Sequence, residues 1–270
     1  MHSISIAAEK IFTLFNWLPV TNSLFTGWVV MAILIVLAIL GGRRIQEVPT
    51  GIQNVMEAFL GGLQGVMESI LGSAKQAKEF FAIVATIFIF VLCSNWFGLI
   101  PGVGSIGFFE EETAKEEITE TAVTEEHAAK PEAAEEGGHH VAFVPLFRAS
   151  SSDLSFTLAI AICAVLYVQY AGLKHLRWGY LAKFFNFKSP VFFFVGILEI
   201  ISEFAKMVSF SFRLFGNVFA GEVLLVVMTF LVPFIIPIPF YGLEVFVGAV
   251  QAGVFAALTL VFLKGATAHH

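Results

Sequence analysis

The chain has 270 residues, of which 57% are hydrophobic and only 13% charged, with a mean hydropathy of +0.84. Those values exclude an ordinary water-soluble domain, which could not enclose 31 Phe residues in a core of this size, and they make lipid the expected solvent. The formal charge of -6 misleads, because eleven of the twenty-one carboxylates fall between Glu110 and Glu136, leaving ten acids against thirteen bases elsewhere.

Residues 1–23 carry Glu9 and Lys10 and show neither a basic start followed by an apolar run nor a small-residue cleavage site, so they read as mature protein. A membrane-crossing helix needs about 20 apolar residues. The first such run is 24–41, closed by Gly41, Gly42, Arg43 and Arg44. Between Val48 and Glu79, Ile52, Val55, Met56, Phe59, Leu63, Val66, Met67 and Ile70 recur at helical spacing and predict an amphipathic surface helix. The next run, Phe80 to Ile100, stops at Pro101 and Gly102.

The Glu-rich stretch from Glu110 to His140, with Pro131, Gly137 and Gly138, predicts a solvated loop that is disordered or weakly helical. His127, His139 and His140 within it suit a solvated loop better than a metal site. A third span covers about Leu154 to Leu173 and is closed by the basic segment Lys174 to Lys188. From Val191 to about Leu231 there is no strong breaker, so the helix is either steeply tilted or bent near Gly216 or Gly221. Pro233, Pro237 and Pro239 force a turn, and a last run extends from Phe240 to Leu263. Cys93 and Cys163 both sit in apolar runs, where a thiol acts as a small hydrophobe.

The fold class expected is an all-α polytopic membrane protein with about five membrane-inserted helices and an amphipathic surface helix. The segments are 1–23 (outer N-terminal), 24–103 (two spans and the surface helix), 104–150 (acidic outer loop), 151–189 (third span and basic inner loop) and 190–270 (a long helix pair). With five alternating spans, nine Lys and Arg fall on one side and four on the other, which puts the N-terminus outside and the C-terminus in the cytoplasm.

Charged side chains at the centre of a membrane helix cost about 2.5 to 3.5 kcal/mol each even on insertion scales, so each one demands a reason. The last two spans contain Glu199, Glu203, Lys206, Arg213, Glu222 and Glu244, with the amides Asn217 and Gln251. At about 100° per residue, Glu199, Glu203, Lys206, Arg213 and Asn217 fall within roughly 40° of one line, while Glu222 lies roughly 140° away. Glu244 and Gln251, seven apart, share a face. Glu203 and Lys206 at i,i+3 can neutralise one another, but four acids against two bases leave a surplus that must be protonated or hydrated. Arg213 cannot deprotonate. Two acidic groups of residues at opposite depths, divided by a permanent cation, suggest two blind half-pathways and no continuous pore.

These residues bring a family into view. FRLFGNVFAGEVLL, Phe212 to Leu225, resembles the signature of the a subunit of F-type rotary ATP synthases. SNWFGLIPG from Ser94 to Gly102, Arg148 with Asp153, Lys206 seven residues ahead of Arg213, and Gln251 agree with it, and the Glu-rich loop stands out as an insertion. The resemblance implies a stator subunit lying against a ring of c subunits, within a hetero-oligomeric complex that includes b-type peripheral stalk subunits. It implies Arg213 as the essential arginine, Asn217 and Gln251 at the ring contact, Glu222 and Glu244 in an outer half-channel and Glu199 in an inner one. Both members of the outer pair are Glu here, where some relatives have a His. No nucleotide motif is present, so the chain is expected to be a non-catalytic subunit without cofactor or metal, partnered by protein and lipid and not by nucleic acid, in a bacterial plasma membrane. The alternative is a stand-alone secondary transporter or ion channel, against which stands the lack of an internal repeat and of paired broken helices.

Overall fold

The computed structural model describes residues 10–14, 18–42, 51–100, 102–103, 106–111, 141–177, 179–180, 190–232 and 235–267. Among the described residues six long helices carry the architecture: α1 (Asn22–Gly42), α2 (Ile52–Leu71), α3 (Ala74–Gly98), α4 (Leu154–Leu176), α5 (Pro190–Leu231) and α6 (Pro237–Thr267). All but α2 are long and apolar enough to cross a membrane, so the chain is a multi-pass helical membrane protein. Two short antiparallel hairpins were not anticipated from sequence. They pair β1 (Lys10–Leu14) with β2 (Leu18–Thr21), and β3 (Gly107–Glu111) with β4 (Val141–Pro145). The second hairpin brackets the Glu-rich loop; residues 112–140, including His127, His139 and His140, lie outside the described residues, as does the basic stretch 181–189.

Local chemistry sets the helix ends. Gly72 takes φ 73°, returning its N–H to the Glu68 carbonyl to close α2, and Ser73 then accepts from the Gln76 N–H to open α3. The amphipathic stretch thus splits at Gly72, with α2 folded back beside α3 and tied to α6 where Lys264 Nζ donates to the Ile70 carbonyl at 2.7 Å. Asp153 caps α4 by accepting from the Ser155 N–H at 2.9 Å, and its second oxygen accepts from Ser23 Oγ at 2.6 Å, joining the start of α1 to that of α4. Pro237 and Pro239 occupy the first turn of α6, where a missing N–H costs nothing.

The 42 residues of α5 form one continuous helix, with no interruption at Gly216 or Gly221. At 1.5 Å per residue it is about 63 Å long, roughly twice the hydrocarbon thickness, which requires a steep inclination. Helices α3, α4 and α6 pack around two contiguous cores, joined by α2 in the first and by α5 in the second. One gathers Phe80, Val84, Val168, Tyr180, Leu260 and Leu263; the other gathers Val91, Ala161, Ala164, Phe210, Leu214 and Phe255. Small residues such as Ala161, Ala164 and Ala252 allow the close approach that holds helices together in lipid, where apolar side chains gain little by leaving the solvent. By contrast α1 from Met31 to Leu40 is almost wholly outward-facing.

Candidate functional site: a cavity, an outward arginine and a clamped carboxylate

The buried side of α5 runs through Glu203, Phe210, Ser211, Leu214, Gly221 and Leu225. The polar line expected from sequence lies along one margin of this face. Glu203 and Phe210 therefore turn inward, whereas Arg213 and Asn217 are exposed, beside the small outward residues Ser209, Gly216 and Ala220. Glu222 stands at the other margin and looks into the protein. One helix thereby presents a cation to the exterior of the chain and a carboxylate to a cavity inside it.

The cavity, of about 280 Å³, is lined by Asn95, Arg148, Asn217, Glu222, Tyr241, Glu244 and Gln251 among others. It has room for several waters. Arg148, from the segment just before α4, reaches Glu222 with Nε 3.3 Å from Oε1, the Arg148 side chain being 9% exposed and that of Glu222 33%. The Arg148 backbone N–H donates to Thr26 Oγ1 on α1, which holds the segment in place. Glu244 enters from α6, its carboxylate lying against the bare Cα of Gly221, where any Cβ would collide with it. Asn95 Nδ2 donates to the Gly248 carbonyl at 3.2 Å, and Trp96 Nε1 to the Val245 carbonyl at 3.0 Å, pinning the end of α3 along α6.

Ser94 Oγ, Asn95 Oδ1, Ser150 Oγ, Ser151 Oγ, Glu222 Oε2 and Gln251 Nε2 are buried with no hydrogen-bond partner among the described residues. Buried polar atoms ordinarily find a protein or water partner, so this part of the molecule is suited to hydration. Asn217 Nδ2 donates to Gln251 Oε1 at 2.8 Å, linking α5 to α6 beside the cavity.

Arg213 is seven residues beyond Lys206 and nine before Glu222, so about 10 Å and 13 Å along the helix. Of the three cations on α5 and α6, Lys206 pairs with Glu203 and Lys264 donates to a carbonyl. Arg213 has no hydrogen-bond or ion-pair partner among the described residues.

Toward the start of α5, Glu203 is buried and both its oxygens are engaged. Lys206 Nζ donates to Oε1 at 2.6 Å, the i,i+3 pair expected from sequence, and Gln169 Nε2 of α4 donates to Oε2 at 2.8 Å. Tyr180 donates its hydroxyl to Gln169 Oε1 at 2.6 Å. Burial, with Glu203 and Glu199 nearby, pushes the Tyr180 phenol up to about 12. Glu199 lies one turn before Glu203 and is half-buried.

The structure thus gathers Glu222, Glu244, Asn217 and Gln251 around one cavity, sets Glu203 and Lys206 together apart from it, and leaves Arg213 outward between them. Sequence reasoning placed Arg148 near the third span without seeing its partner, and it missed Asn95, Tyr241, Gln169 and Tyr180 as parts of these groups. Asn95 was within reach, because a buried amide in an apolar run needs a partner just as a charge does.

Such a fold and site define an integral membrane protein that carries charged and protonatable groups on a pair of long apolar helices. Comparison with known proteins makes this specific. The family profile described as ATP synthase A chain matches residues 24–264. ATP synthase subunit a of Gloeobacter violaceus is 32% identical over 249 residues, covering 92% of this chain and 85% of that protein. The same-named protein of Campylobacter jejuni is 31% identical over 241 residues (88% and 86%), and that of Citrifermentans bemidjiense 29% over 245 (90% and 86%). The chain belongs to the ATP synthase A chain family and is a membrane-sector subunit of an F-type ATP synthase.

Proposed function

We propose that the chain is the stator of an ion-driven rotor, forming two half-channels against a ring of c subunits and coupling ion flow to rotation and ATP synthesis. In this reading the outer half-channel is the hydratable cavity with Glu222 and Glu244, the inner one runs past Glu199 with the paired Glu203 and Lys206 beside it, and Asn217 with Gln251 borders the ring. A ring carboxylic acid arriving opposite Arg213 loses its proton to water in the adjoining half-channel, and the carboxylate left behind pairs with the guanidinium. The same fixed charge repels any cation attempting to pass directly from one half-channel to the other. Arg213 carries the proposal: it is a permanent cation in an exposed position on an apolar helix, unpaired among the described residues, and a charge so placed calls for a counter-charge.

The proton is the ion this reading assigns, because Glu222 and Glu244 border space for water and a carboxylate beside water can take up and release a proton. One charge crossing 100 mV is worth about 2.3 kcal/mol, too little to make ATP, so several transfers must be summed mechanically, which is what a rotor does. The reading also places the N-terminus outside, the C-terminus in the cytoplasm of a bacterium, and b-type stalk subunits alongside. The test is reconstitution in liposomes: the chain alone should conduct no steady proton current, whereas the assembled membrane sector should. Sustained selective transport by the chain alone would make it a transporter or channel instead.

A further inference from the structure

Two carboxylates near the start of α5 could carry the ion on the inner side, and their surroundings separate them. Glu203 holds Lys206 on one oxygen and Gln169 on the other, so neither oxygen is left without a donor. The orientation of the Gln169 amide is fixed as well. Its carbonyl oxygen accepts from the Tyr180 hydroxyl, which directs its NH2 group to Glu203. Tyr180 in turn is seated in a notch that exists because residue 172 is Gly, since a Cβ there would meet the Tyr180 ring. On its other side Lys206 sits 4.7 Å from the centroid of Phe262, which is stacked on Phe210. A protonatable group so enclosed is poorly built to exchange protons with passing water.

Resting on the stator reading above, we infer that Glu203 acts as the counter-ion that neutralises Lys206 and not as a carrier of the translocated ion, with Gln169 and Tyr180 as positioning residues that hold it there. The need follows from geometry. Lys206 lies two helical turns from Arg213 on the same side of α5, about 10 Å away. Left uncompensated in a low-dielectric setting, it would offer a moving ring carboxylate a second attractive stop and blur the discharge point that Arg213 defines. Clamped, it adds no net charge, and α5 presents a single effective cation.

The experiment uses the assembled ATP synthase in membrane vesicles, with ATP synthesis driven by an imposed proton gradient and rates scaled to the amount of this chain in the complex. Glu203→Gln should lower the rate about fivefold or more, and Glu203→Gln with Lys206→Gln should recover it to within about twofold of native, because the pair is then neutral again. Tyr180→Phe and Gln169→Leu should each lower the rate about twofold or more in the native background and have no effect in the doubly neutral one. A merely structural role would give the same loss in both backgrounds. A double variant no better than Glu203→Gln alone, or a Tyr180→Phe loss that persists beside it, would overturn the inference. If the neutral pair assembles poorly, Glu203→Lys with Lys206→Glu should exceed Glu203→Lys alone, and equality would count against the clamp. Failure of the stator reading is distinguishable, since it would appear as an active Arg213→Ala enzyme.

Discussion

The carboxylate of Glu244 on α6 occupies the space that a Cβ on Gly221 of α5 would need. The two helices therefore close around an acid, and Gly221 is a slot for a side chain of the other helix. Gly221→Ala should expel Glu244 from this position and cut coupled ATP synthesis by about tenfold or more, while Gly265→Ala, which meets nothing within 4 Å, should leave it unchanged. Equal activity of the two variants would show that Glu244 works from elsewhere.

Arg148 and Glu222 form a pair that is one-sidedly buried. Removing one member of a buried pair costs about 3 to 5 kcal/mol, and a Glu222 side chain one-third exposed lowers the expectation to about 2 kcal/mol. Arg148→Ala should therefore release the chain from the detergent-solubilised complex several degrees below native, a shift that Arg148→Lys reduces only in part because Lys lacks the guanidinium fork. Thermal release monitored by electrophoresis of the complex reads this out, and an unshifted Arg148→Ala complex would contradict it.

Tyr180 supplies a pH prediction. Its phenol is raised in the folded protein from the usual 10 to about 12, so its hydroxyl donation is fully present below about pH 10 and is lost as pH rises through about 12. Synthesis rates of native and Tyr180→Phe enzymes should differ by a constant factor from about pH 6 to pH 9. A difference that titrates within that range would mean the phenol ionises far more readily than its surroundings require.

The Glu-rich loop is bracketed by a formed hairpin, with Glu111 paired to Val141. Since the strand ends are already adjacent, replacing residues 112–140 by a two-residue Asn-Gly turn should leave assembly and coupled synthesis close to native. Loss of the chain from purified complexes would show that the segment is needed for assembly.

Much of the fold was legible because run length is a direct consequence of hydrocarbon thickness: the spans expected at 24–41, Phe80–Ile100, Leu154–Leu173, Val191–Leu231 and Phe240–Leu263 each lie on one long helix, within a few residues at most ends. The long helix left a bend or a tilt open, and periodicity could not choose, because glycine alone does not break a helix whose backbone is sheltered. Gly221 drew attention as a bend and proved to be a contact. The Glu203–Lys206 pair was readable, since i,i+3 neighbours meet on any helix. Arg148–Glu222 and Tyr180–Gln169–Glu203 were not, because each joins segments distant in sequence and depends on packing that no local pattern encodes. The hairpins were hidden for another reason: β3 and β4 are short and separated by the long acidic insertion.

In the proposed mechanism the outward guanidinium of Arg213, unpaired among the described residues, separates two half-channels. ATP synthesis by vesicles carrying Arg213→Ala tests it most directly, at native levels of assembled complex and under an imposed proton gradient. Loss of synthesis by about a hundredfold or more, with passive proton leak through the membrane sector, is the predicted result. Synthesis at the native rate, with no leak, would contradict it.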